Sequence, residues 1–304
     1  DADLSPDNEA DADSPRDVVA PDETGGQDSL PDVEDDGICT DVIDLVFVLD
    51  VSSSMSFVLN QLQAEIGSVV SASNELADES HFGLVAYVDN HAMDDRGDLE
   101  EGLVHSAAGT LQAAFQFYRE NYTEPNRNPG DGLDGPTTQN PICEENALDA
   151  LYDAATLFPW RDNATRLIIL ATDDTFIEYD DNYGDRDGDG DWDSQDYPRE
   201  GNYPALRTMA ETVAALQDAS VRVFTFTRLV PPGLLDLSRC GTPRRLPWED
   251  IVDGWTQPYN GQAPIPEATD ARNFAIGDVR AGVISLTATI NDVVLDSYCH
   301  EPVY

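Results

Sequence analysis

The sequence predicts an α/β fold: a doubly wound, mostly parallel sheet with helices on both faces. Three observations predict it. Residues 45–49 (LVFVL) and 166–171 (RLIILA) are near-continuous apolar runs, the pattern of strands covered on both faces. Such runs alternate along the chain with apolar residues at helical spacing, as a parallel sheet with crossover helices requires. Both runs also stop at clusters of acids and hydroxyls, at the strand ends where open α/β sheets bind their ligands.

Each element follows in order. After the first strand, Leu59, Leu62, Ile66, Val69 and Val70 predict a helix over 57–76, and 81–88 (HFGLVAYV) reads as a second strand. Leu111, Phe115 and Tyr118 share one face of a predicted helix over 107–118. The Pro-, Gly- and Asn-rich stretch 121–141 is too long for a simple connection and is expected to be functional. Helical spacing resumes at Glu144, with Leu148, Leu151, Tyr152 and Ala155, and leads into the strand at 166–171. Pro204 is predicted to open a helix carrying Leu206, Met209, Val213 and Leu216. A strand over 221–229, an edge strand within 265–274 and a single closing helix over 279–298 complete the fold. No internal repeat is present.

The 304 residues carry 60 acids against 16 arginines, with no lysine, for a formal charge of -44. Such a balance repels nucleic acid and anionic membrane surfaces alike. It fits a solvated acidic surface in salt- or calcium-rich surroundings, and it makes divalent cations natural counterions. Residues 1–38 hold 14 of the acids, four prolines and no aromatic residue. This composition cannot offset its own ordering entropy, so the segment is expected to be a disordered linker that holds the domain away from a surface. Residues 39–304 form the folded domain, whose size, about 260 residues, buries roughly three-quarters of its unfolded surface without help from metal or disulfide. No apolar run reaches the ~20 residues of a membrane span. With no signal peptide at Asp1, the chain reads as a processed, extracytoplasmic product, secreted or anchored at a cell surface.

The sharpest local signal is DLVFVLDVSSSM at 44–55. Asp50 ends the strand, and Ser52 and Ser54 follow it. A carboxylate and two hydroxyls are hard oxygen donors, suited to Mg²⁺, Mn²⁺ or Ca²⁺ and poor for zinc. Asp173 ends the other buried strand and can face the same rim, and Glu145 at the start of the intervening helix adds a third acid. Three acids from three loops would hold one divalent ion with a position left for an outside ligand.

These residues resemble the metal-ion-dependent adhesion site of von Willebrand factor A domains, whose signature is DxSxS. The stretches QNPICEENALDAL (139–151) and PWRDNATRLIILATDDTF (159–176) are more similar to the integrin β-subunit version of the domain, and the likeness spans about 42–299. That subfamily uses a glutamate four residues before an Asp-Ala pair. Counting back from Asp149 gives Glu145, and five further back gives Asn140, also an asparagine there. The resemblance implies direct coordination by Ser52 and Ser54, coordination through water by Asp50 and Asp173, and help from Glu145. It implies adhesion, in which a partner protein or matrix ligand supplies an Asp or Glu to complete the octahedron. Two departures stand out. Phe57 and Val58 take the place of paired acids that serve an adjacent metal, and Ile142 takes the place of an aspartate for a further one.

A second motif is DRDGDGDWDSQD at 185–196, within an insertion at about 177–203. Asp185, Asp187, Asp189, Asp193 and Asp196 fall at positions 1, 3, 5, 9 and 12 of the EF-hand calcium loop, Gly190 at the sharp turn and Asp191 at the backbone-carbonyl position. The last position is Asp instead of the longer Glu, which lowers the expected affinity. No helix signal precedes it, so it is similar to the calcium loops of dockerins and bacterial surface proteins. Because it follows the strand that bears Asp173, it is expected to rim the first site.

Two other function classes compete with adhesion. A structural subunit of a surface or fibre assembly would use the metals only for stability. A haloacid-dehalogenase-like phosphotransferase would also place an aspartate at the end of the first strand, but it needs a second aspartate where Ser52 stands and a lysine, and there is none. The histidines at 81, 91, 105 and 300 form no HExxH, and GxSxG and P-loop patterns are absent, so an enzyme is not expected. The NYT at Asn121 and NAT at Asn163 are sequons, but the lysine-free acidic composition looks bacterial. The ligand itself would be chosen by the loops at 121–141 and 230–264.

Cysteines stand at 39, 143, 240 and 299, too far apart for CxxC chemistry. The even count fits disulfides in an oxidising compartment, the alternative being four buried thiols. Cys39 and Cys299 bracket the domain, and a Cys143–Cys240 bridge would brace the Glu145 loop. Mass spectrometry of an unreduced digest is expected to find these two pairs and neither of the other two connectivities.

Overall fold

The structure is a computed structural model, and it describes residues 42–131, 133, 145–179, 205–229 and 253–298. The acidic segment 1–38, the four cysteines, Asn140, Ile142 and the calcium-loop motif at 185–196 lie outside the described residues, as does most of 230–264. Among the described residues no helix is long and apolar enough to cross a membrane.

The architecture is a six-stranded sheet in the order β3-β2-β1-β4-β5-β6. The strands are β1 (Val42–Asp50), β2 (Glu79–Tyr87), β3 (His91–Met93), β4 (Thr165–Ala171), β5 (Arg222–Thr227) and β6 (Asn273–Ala275). All neighbours pair in parallel except β2 and β3. The helices are α1 (Ser56–Leu76), α2 (Ala108–Tyr118), α3 (Ala147–Leu157), α4 (Met209–Asp218), α5 (Ile265–Ala268), α6 (Ile276–Arg280) and α7 (Leu286–Ser297). This is the doubly wound α/β fold that the apolar runs predict.

Strand β1 shows why. Its side chains alternate between faces: Ile43, Leu45, Phe47 and Leu49 enter a layer with α1, α2 and α7, while Val46 and Val48 enter the layer with α3 and α4. Phe47 meets Phe115 of α2 edge to face at 5.4 Å. Covered on both sides, the strand has no polar face, hence its unbroken apolar run. The order reverses at β1, whose carboxyl end therefore opens into the crevice between crossovers running to opposite sides.

Two sequence expectations are corrected, and one strand lacks a sequence signal. The helix expected from Pro204 starts at Met209, because Thr208 caps it: its hydroxyl accepts from Glu211 N at 3.2 Å while the Glu211 carboxylate accepts from Thr208 N at 2.9 Å. Leu206 is consequently exposed. The single closing helix is two helices, α6 and α7. Gly282 takes φ +68 between them, and Ser285 starts α7 by accepting from Ala288 N at 3.2 Å. The strand β3 was not expected, since three residues are too few to show a period. The edge strand expected within 265–274 is β6, preceded by the short helix α5.

An acid inside β1 anchors the amino end of the sheet. Asp44 is fully buried and accepts from Arg161 N at 2.7 Å and Arg161 Nε at 2.8 Å, while Arg161 Nη2 donates to the Ile43 carbonyl at 2.8 Å. One guanidinium thus ties the central strand to the segment joining α3 and β4. Removing one partner of a buried pair strands the other charge. Arg161→Ala is expected to destabilise the fold by about 3 kcal/mol in urea unfolding, and Asp44→Asn in that background should recover part of the loss.

Candidate metal centre

Strands β1 and β4 are parallel neighbours with Leu49 opposite Ala171, so the residues that follow them emerge at the same level. Asp50 is fully buried there. Its Oδ1 accepts from Ser52 N at 2.7 Å and its Oδ2 from the Thr172 hydroxyl at 2.9 Å. The Ser52 and Ser54 hydroxyls lie 3.1 Å apart, and the Ser54 hydroxyl donates to Asp173 Oδ1 at 2.8 Å. Asp50, Ser52, Ser54 and Asp173 are thereby joined through a single hydrogen-bonded group.

Glu145 arrives by a different route. Its N donates to the Thr175 carbonyl and its carbonyl accepts from Ile177 N, both at 3.0 Å, a one-residue parallel bridge onto the segment after β4. Next to it, Asn146 N donates to the Val88 carbonyl at 2.6 Å. These backbone bonds hold the glutamate at the rim, buried, and its Oε2 has no hydrogen-bond partner. An orphaned buried carboxylate oxygen is costly and points to a cation or donor.

The electrostatics agree. Burial, followed by the nearby Asp173 charge, pushes the Asp50 carboxyl up to about 6. Burial also drives Glu145 well above the usual carboxylate range, helped by the fields of Asp50, Asp89, Asp174 and Asp173. Among the described residues no three acid, cysteine or histidine side chains converge closely enough to hold an ion by themselves. Carboxylates with hydroxyls form a hard-oxygen set, and the unsatisfied Glu145 oxygen fits such an ion.

Four participants were not singled out from sequence. Thr172 holds Asp50 in place. Asp89, just past β2, is buried and pairs with Asn128 of the 121–141 stretch, which donates from Nδ2 to Asp89 Oδ2 at 3.0 Å. The same strand-end rule that found Asp50 would have found it. Asp174 is buried and accepts from Thr175 N at 3.0 Å. Arg280 had no local signal: it comes from α6, and its Nη2 donates to Asp173 Oδ2 at 2.8 Å.

No family model matches the sequence. No curated protein matches it either. Among solved structures, the chain is similar to proximal thread matrix protein 1 from the mussel byssus at 12% identity and a TM-score of 0.42, covering 86% of this chain and 48% of that one. It is also similar to a von Willebrand factor type A protein from Catenulispora acidiphila, at 15% identity and a TM-score of 0.41, covering 84% and 42%. A third is the BatB protein of Bacteroides thetaiotaomicron, at 12% identity and a TM-score of 0.37, covering 83% and 99%. The chain spans less than half the length of the first two.

The Asp50 shift sets a pH dependence. Its folded pKa lies above the ordinary 3.8, so the protonated form favours the folded state: its contribution is complete below about pH 4 and is lost as the pH rises through about 6. With chelator present, urea unfolding is expected to show a decline of up to about 3 kcal/mol across that window. In Asp50→Asn the decline should shrink, and added divalent ion should reverse it in the parent chain.

Proposed function

We propose that this chain is an extracytoplasmic, non-enzymatic adhesion or ligand-binding domain of the von Willebrand factor A type, with a metal-ion-dependent site resembling that of integrin β subunits. The observation that carries this reading is the joining of Asp50, Ser52, Ser54 and Asp173 at one strand edge, beside the orphaned Glu145 oxygen. When bound, Mg²⁺, or Mn²⁺ or Ca²⁺ in its place, would supply an electrophilic position for an outside carboxylate. The chain's own residues do the rest. Ser52 and Ser54 offer hydroxyl lone pairs, Thr172 and Ser52 N orient Asp50, and the bridge at Phe176 keeps Glu145 facing the rim.

The partner class follows from charge. A surface at -44 does not draw in an acidic protein or nucleic acid by long-range attraction. Recognition is short-ranged, with an Asp or Glu of a protein or matrix ligand captured at the metal. Asp185, Asp187, Asp189, Asp191, Asp193 and Asp196 are read as a separate structural Ca²⁺ loop, and 1–38 as the tether to a surface.

The test is capture of candidate matrix proteins in Mg²⁺ or Mn²⁺, with chelator as control. Ser52→Ala with Ser54→Ala should weaken capture about 10- to 100-fold while the circular dichroism spectrum stays unchanged. Capture unchanged in that variant would favour a structural subunit whose metals only stabilise it.

A further inference from the structure

Arg280 is the feature that the adhesion reading leaves unexplained. It ends α6, whose Ile276 and Val279 are buried in the core, so the helix is anchored and its last side chain is carried over the rim. The Arg280 Nη2 donates to Asp173 Oδ2 and to the Ser54 carbonyl, both at 2.8 Å. The guanidinium carbon lies 4.5 Å from the centre of the Phe57 ring. Three contacts from two segments, the 54–57 stretch and the segment after β4, thus hold a positive charge against a buried acid of the metal site.

We propose that Arg280 is a built-in cation that competes with the divalent ion for Asp173 and so sets how tightly the site holds its metal. The inference rests on the metal-site reading above. Asp173 has two oxygens, and both are engaged: Oδ1 by the Ser54 hydroxyl and Oδ2 by Arg280. The charge on Asp173 that would attract a dication is partly neutralised, and a fixed positive charge repels the incoming ion. Being part of the chain, the guanidinium does not dissolve away, so it competes at a high effective concentration. Phe57 supports it through its ring face without neutralising it, where an acid would cancel its charge. A planar guanidinium reaches the carboxylate and the Ser54 carbonyl together, which an ammonium does less well.

A cleft of about 420 Å³ lies alongside, lined in part by Asp173, Arg228, Leu229, Ile276, Asp278 and Arg280. It gives the arginine room to swing aside when Asp173 is taken up by a metal. Arg280 is accordingly a positioning residue: it keeps Ser54 and Asp173 ordered without metal and yields them when metal binds.

The experiment is calorimetric titration of the full chain with Mg²⁺ and Mn²⁺, comparing the parent with Arg280→Ala, Arg280→Gln and Arg280→Lys. Ser52→Ala with Ser54→Ala identifies the heat that belongs to this site. Losing one charge-assisted hydrogen bond that opposes the metal should tighten Kd by about tenfold in Arg280→Ala and Arg280→Gln, with Arg280→Lys in between. With chelator present, the Ala and Gln variants should melt below the parent, and Mn²⁺ should raise their Tm by more than it raises the parent's.

Serine-dependent binding in the parent with equal or weaker binding in both neutral variants would overturn the role of Arg280 and leave the metal-site reading standing. Serine-dependent binding that appears only in the neutral variants would support the competition and overturn metal-dependent adhesion by the parent. No serine-dependent binding in any chain would overturn both. Since the Arg280 side chain is 45% exposed, all three substitutions should be compatible with the fold.

Discussion

The rest of the structure depends on keeping several carboxylates buried at the carboxyl edge of two central strands. Asp50, Glu145 and Asp173 are all buried there. A carboxylate removed from water must be paired, hydrogen-bonded or protonated. The three acids are treated differently. Asp50 receives one backbone and one side-chain donor, Asp173 receives a hydroxyl and a guanidinium, and one Glu145 oxygen receives nothing. Compensation is therefore uneven among the three, and it is least at Glu145, whose carboxyl burial and the neighbouring acids drive well above the usual range. The parallel register of β1 and β4 makes this possible, since it brings the ends of both strands to one level.

The same logic recurs in other parts of the protein. With only 16 basic residues, all arginine, positive charge is scarce, and several of these side chains stand beside buried acids. Arg161 meets Asp44 at the amino end of β1, Arg96 meets Asp94, and Arg280 meets Asp173. At Asp94, burial alone would raise the carboxyl, but hydrogen bonds from His105 and Arg96 outweigh it and hold it below its ordinary value. Arginine suits this use because one planar group satisfies a carboxylate and a backbone carbonyl together. Both Arg161 and Arg280 do so. What distinguishes Arg280 is its place: it braces a site whose proposed ligand is another cation.

The fold was legible wherever burial imposed a pattern. The apolar run at 45–49 marks β1 because both faces of that strand are covered, and Asp50 stands out because the run ends there. Legibility failed where a local bond overrode periodicity. The apolar spacing of Val279, Ile290 and Val294 continues across a break that Gly282 and the Ser285 cap impose, so one helix was expected where two exist. The start of α4 was misplaced because the Thr208–Glu211 capping box outranks the signal from Pro204. In the site, Asp50, Ser52 and Ser54 are consecutive enough to be read directly, whereas Glu145 and Asp173 emerged only through the resemblance and the strand-end rule.

Taken by itself, the sequence determined the α/β class, the order of the main strands and helices, and a strongly acidic charge. These follow from local periodicity and composition, which require no knowledge of what meets what. Only the tertiary structure decided that Glu145 keeps an unpaired oxygen, that Asn128 pairs with Asp89, and that Arg280 reaches Asp173 across 107 residues of chain. Those contacts depend on crossovers returning distant segments to one edge of the sheet. Hydrogen bonds and Coulomb forces act over ångströms in space, and separation along the chain carries almost no record of them.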